Sequence, residues 1–116
     1  MADVTEQRLA ADGLLWACPV ADLPVGEVAV IGVAPVRIAV FNVDGEFLAV
    51  DDRCTHQEAH LSDGFLDGTE VECPLHASCF DLRTGQPTGP PATSPVRTYP
   101  ARVRDGHVVV DLTAQD

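Results

Sequence analysis

Two short boxes of metal-ligating residues constrain this chain more than any other feature. Cys54-Thr55-His56 sets a thiol and an imidazole one residue apart, and Cys73-Pro74-Leu75-His76 sets a second pair two residues apart, with sixteen residues between the boxes. Three of the four cysteines and three of the four histidines fall within the 26 residues from Cys54 to Cys79. A thiolate and an imidazole so close together on a tight loop can point at one ion, and Pro74 stiffens the second loop. A fold that uses both boxes must present the two loops side by side, which a hairpin does. Two sulfurs and two nitrogens suit a structural zinc ion. They suit equally a two-iron, two-sulfide cluster in which two histidines replace two cysteines on one iron.

The rest of the chain reads as β structure. A length of 116 residues argues for one domain, 1–116, and a hydrophobic content of 46% is enough for an apolar core. Leu14 to Cys18, Val28 to Val33, Val36 to Val43 and Glu46 to Val50 are short apolar runs. Asp44-Gly45 between the last two is a strong hairpin signal. Glu70 to Cys73 and Phe80 to Leu82 read as short strands. Arg97 to Arg104 and His107 to Leu112, joined by Asp105-Gly106, read as a second hairpin. The opening ten residues read as a poorly ordered tail with marginal helical character. Short strands at near-regular spacing, without a long helical period, predict an all-β antiparallel sandwich or barrel. Asp51 to Gly68 is polar and reads as a long loop, and Gln86 to Pro95 carries four of the nine prolines. Long loops in compact domains are usually functional. The expected plan is therefore a scaffold of residues 10–50 and 86–113 carrying a special segment, about 51–85.

Charge excludes several classes of function. Eighteen acids stand against seven arginines and no lysine, a net charge of −11. No basic stripe is available for nucleic acid or for an anionic membrane surface. The acidic N-terminus lacks the features of a secretory signal, and the longest apolar stretch, Val28 to Val36, is too short to span a bilayer. A cytoplasmic protein is expected, where cysteines bind metal or do redox work more often than they form disulfides. Asp51 to Asp81 holds eight of the acids and only Arg53 among the arginines, which predicts an acidic collar around the two boxes and basic docking faces on partners.

The boxes, with Leu61-Ser62-Asp63-Gly64, Val71-Glu72, Phe80-Asp81 and Thr84-Gly85, resemble the Rieske family, and in particular the small ferredoxins of multicomponent aromatic ring-hydroxylating dioxygenases. The resemblance spans roughly Val36 to Leu112. It implies an antiparallel β-sandwich with a small cluster-binding subdomain of two loops, and one Rieske 2Fe-2S cluster. Cys54 and Cys73 would hold one iron; His56 and His76 would hold the outer iron through Nδ1. It implies one-electron transfer without turnover of a substrate, from an NAD(P)H-dependent flavoprotein reductase to a terminal Rieske non-haem iron oxygenase. A freely diffusing monomer is the simplest such carrier. The same ligands would serve the small subunit of a nitrite reductase or another redox complex, and a zinc-stabilised interaction module is the alternative outside redox chemistry. With neutral histidines the oxidised cluster carries no net charge. Reduction therefore favours protonated ligands, and the potential should fall with pH above the oxidised-state histidine pKa.

Departures from the family pattern refine this picture. High-potential members carry an extra cysteine in each loop, where this chain has Ala59 and Leu75, so no inter-loop disulfide is expected. That points to the low end of the Rieske range of about −150 to +300 mV. Ser78 stands where high-potential members bond a bridging sulfide, which would raise the potential, or it is a solvent-facing loop serine. Phe80 replaces the partner tyrosine of that pattern. Cys79 should face outward as a spare thiol if Phe80 points into the core. Cys18 reads as a buried inert thiol and Trp16 as core. His60 reads as a surface histidine near the cluster rim, or as a docking or proton-linked contact. His107, beside a turn, is expected to be exposed.

Overall fold

The computed structural model describes residues 2–3, 8–9, 13–32, 37–53, 59–74, 78–88 and 94–112. Among these described residues, twelve strands form three sheets. They are β1 (Ala2–Asp3), β2 (Arg8–Leu9), β3 (Leu14–Pro19), β4 (Val28–Ile31), β5 (Ile38–Val43), β6 (Glu46–Asp51), β7 (Phe65–Asp67), β8 (Glu70–Glu72), β9 (Cys79–Asp81), β10 (Thr98–Tyr99), β11 (Ala101–Arg104) and β12 (His107–Asp111). The sheet orders are β1-β4-β5-β6-β10, β11-β12-β3-β2 and β7-β8-β9. Every pairing is antiparallel except that of β1 with β4. The protein is all-β, as expected.

Both Asp-Gly signals make two-residue hairpin turns. Asp44 and Gly45 have φ of 53° and 93°, and Asp105 and Gly106 have 51° and 75°. Two successive positive φ angles give the turn whose twist matches the flanking strands. Asn42 reinforces the first turn by accepting from the Gly45 amide at 2.8 Å.

Strand β5 explains why its sequence is apolar at every position but Asn42. All six of its residues are buried. Ile38 and Val40 face the core between the two larger sheets, with Leu15, Ile31, Phe47, Val108 and Val110. Ala39, Phe41 and Val43 face a second core, shared with Val50, Leu61, Val71, Phe80, Leu82 and Val96. A strand covered on both faces has no reason to alternate in polarity. The second core is the floor on which the segment after Asp51 is built.

Four expectations need correction. The N-terminal tail is not helical where described: Ala2–Asp3 and Arg8–Leu9 add to sheets through backbone pairing that propensity does not encode. The run from Arg97 to Arg104 is not one strand. It breaks at Pro100, which has no amide to donate, so β10 pairs with β6 and β11 with β12. The stretch 51–68 is not simply loop, because it contains a one-turn 3-10 helix, Leu61–Asp63, and strand β7. The start of the proline-rich stretch continues a sheet edge, with Pro87 bridged to Phe80 and the Thr88 amide donating to the Cys79 carbonyl.

Candidate metal centre

Antiparallel pairing joins the chain on either side of each box. The limbs of the first loop pair at Arg53 and His60, closing residues 54–59. The second box lies between β8 and β9, whose last pair is Glu72 with Cys79, and the Cys73 amide donates to the Ser78 carbonyl at 2.7 Å. Leu61, Val71, Cys73 and Phe80 belong to one buried cluster, with Ala59 packed against it. The bases of the two loops therefore share one apolar floor. Gly64 holds them together: a Cβ there would overlap the Glu72 carbonyl oxygen, so only glycine lets the turn after the first loop lie against the strand entering the second.

Of the four expected ligands, Cys73 is described and is 1% exposed. Cys54, His56 and His76 lie outside the described residues, as does Leu75. The donors fit a Rieske cluster. The Cys73 thiol is buried, and the described residues that flank both boxes, Ala59 and Leu61 after the first and Val71 and Phe80 around the second, lie on one apolar floor.

The neighbouring residues sort differently from one another. Ser78 is fully buried, so the solvent-facing alternative fails. Phe80 is fully buried, and Cys79 beside it is half-buried on the opposite face, as alternation predicts. Burial raises the Cys79 thiol pKa, and the carboxylates of Glu72, Glu70 and Asp67 raise it further. Cys18 is buried in the sandwich core, where burial and Asp22 push its thiol up. His60 is exposed, with its backbone bridged to Arg53. Trp16 and His107 depart from expectation: both are half-buried, and their rings pack 5.6 Å apart.

The acids also divide. Asp67, Glu70 and Asp81 are cross-strand partners in a row over β7, β8 and β9, and Glu72 lies on the same face opposite Phe65. This face is acidic, with Phe65 at its edge 63% exposed. Two acids expected in the collar do other work. Asp51 accepts from the Tyr99 hydroxyl at 2.6 Å. Asp52 is fully buried and bonded to Arg37 and Ser62, an arrangement the sequence reading missed. The available signal was an acid two residues before the first box, which charge counting alone assigned to the surface. Among the described residues no helix is long and apolar enough to cross a membrane.

Comparison with known proteins places this geometry. The family described as the Rieske 2Fe-2S domain matches residues 13–100. The chain is 52% identical over 99 residues to the 3-phenylpropionate/cinnamic acid dioxygenase ferredoxin subunit of Escherichia coli K12, covering 84% of this chain and 92% of that one. Among solved structures, the Sphingomonas yanoikuyae B1 ferredoxin aligns with a TM-score of 0.77 and 41% identity, over 83% of this chain and 95% of that one. A chain in a complex of reduced oxygenase and oxidized ferredoxin of carbazole 1,9a-dioxygenase aligns with a TM-score of 0.82 and 35% identity, over 86% and 94%.

Proposed function

Because the chain belongs to the Rieske 2Fe-2S family and matches dioxygenase ferredoxin subunits along most of its length, we propose that it is the electron carrier of an aromatic ring-hydroxylating oxygenase system. Cys54 and Cys73 hold one iron and His56 and His76 the other. The carrier takes one electron at a time from an NAD(P)H-dependent flavoprotein reductase and delivers it to a terminal Rieske non-haem iron oxygenase. It works as a cytoplasmic monomer, with residues 51–85 as the cluster-binding part of a single domain. When bound, the cluster would supply storage for one electron.

The observation that carries this reading is the shared floor: the described flanks of both boxes, paired at Arg53–His60 and at Glu72–Cys79, belong to one apolar cluster that includes Cys73. The residues of the chain do the rest. Phe80, Val71 and Leu61 exclude water beneath the loops. The acidic face of β7–β9 selects partners with basic docking surfaces, and exposed Phe65 gives that face an apolar contact. A small, charge-steered contact suits a carrier that must release each partner.

Metal and sulfide analysis of the purified protein tests the proposal. Two irons and two acid-labile sulfides per chain are expected, with a reduced EPR signal of low average g. Substituting any one of the four ligands should abolish the signal. One zinc and no sulfide would overturn the reading. Reduction by NADH through a flavoprotein reductase, followed by reoxidation by an oxygenase, tests the two partners separately.

A further inference from the structure

The first ligand-bearing loop leaves the scaffold at Arg53 and returns at His60, and Asp52 is bonded to both sides of that opening. Its carboxylate is 0% exposed. Oδ1 accepts from the Ser62 amide at 2.6 Å, and Oδ2 accepts from the Ser62 hydroxyl at 2.8 Å and from Arg37 Nε at 2.7 Å. The main chain repeats the pattern, with the Asp52 amide donating to the Arg37 carbonyl at 2.9 Å and the Asp52 carbonyl accepting from the Leu61 amide at 3.1 Å. One residue thus ties together the segment before β5, the outgoing limb of the loop and the turn that follows its incoming limb.

A buried carboxylate is a costly fastener. Taking the charge out of water costs several kcal/mol, and pairing only offsets this when the geometry is good. Apolar packing would hold a strand end at least as well. What a charge with three directed bonds adds is a fixed geometry, here the offset between the two limbs of the loop carrying Cys54 and His56.

We propose that Asp52 is a positioning residue: the Arg37–Asp52–Ser62 clamp fixes the frame of the Cys54–His56 loop and so governs how firmly iron is retained. This rests on the assignment of Cys54 and His56 as ligands. The competing account is that the clamp is an ordinary scaffold contact. The neighbouring bond from Tyr99 to Asp51, at 2.6 Å, supplies a control. It also joins a buried residue to a carboxylate, but it ties β6 to β10 and not to the loop.

The test uses the intact holoprotein and two measurements: the rate of iron release to a ferrous chelator at 25 °C with ascorbate supplied as reductant, and thermal unfolding by circular dichroism. Ser62→Ala and Asp52→Asn should release iron about tenfold faster than the native chain, the lower end of the range for partners that orient ligands. Ser62→Thr, which keeps the hydroxyl, should restore the native rate. Tyr99→Phe should lower the Tm while releasing iron at the native rate. The EPR line shape should change in Asp52→Asn and not in Tyr99→Phe. Iron release that simply tracks Tm across all variants, or a native rate in Ser62→Ala, overturns the clamp. Should Asp52→Asn fail to fold, the Ser62 pair decides. A native chain that holds no iron or labile sulfide overturns the ligand assignment itself, and the clamp with it.

Discussion

At Tyr99, burial first, then the hydrogen bond and charge of Asp51, push the phenol pKa from 10.0 up to about 12. The neutral phenol is the bonded form, so the contribution is complete below pH 10 and is lost as pH rises through about 12. Tyr99→Phe should cost about 1–2 kcal/mol at pH 8. The gap between native and variant should close as the pH of thermal melts approaches 12, and a gap independent of pH would refute the account. Cys79 offers a second check. Burial and three carboxylates raise its thiol pKa, so it should alkylate more slowly at pH 8 than a free thiol. Cys79→Ser should leave the iron content unchanged. That Cys79 faces away from the core was legible in the sequence, because Phe80 fixes the alternation. The burial of Ser78 was not, because a polar residue in a loop next to a cysteine looks the same whether water or protein covers it.

The row Asp67, Glu70 and Asp81 is expensive for a three-stranded sheet. Like charges directly opposite one another destabilise a strand pair by up to about 1 kcal/mol. Glu70→Gln keeps an acceptor for the Thr88 hydroxyl, now at 3.0 Å, and removes the central charge. It should raise stability by a few tenths of a kcal/mol in low salt, with the difference shrinking in high salt, as measured by urea unfolding. It should also slow electron delivery to a partner with a basic face, so that stability and rate move in opposite directions. This row could not be read from sequence, since it requires the register of β7, a three-residue strand between a bend and a turn. The two Asp-Gly hairpins could be read because they follow from local conformation alone. The divided strand at Pro100 lay between these cases: the proline was visible, but the switch from one sheet to another depends on what each half meets.

At the scale of the whole molecule, charge acts as a field. Eight of eighteen acids lie between Asp51 and Asp81, yet Asp51 and Asp52 are engaged with Tyr99, Arg37 and Ser62, so among the described residues exposed Asp63 and the four acids of the β7–β9 face are those left for a partner. The second-order rate of electron delivery should fall as ionic strength rises from 0.01 to 0.15 M, over which the Debye length shrinks from about 30 to about 8 Å. A flat profile in stopped-flow measurements would leave the charge as a solubility feature. The architecture beneath that face has a different consequence. Ile38 and Val40 of β5 belong to the sandwich and Ala39, Phe41 and Val43 to the floor of the loops, so one strand carries two interleaved messages. A protein engineer can rewrite the odd-numbered letters to retune the platform beneath the cluster while the even-numbered letters keep the sandwich closed.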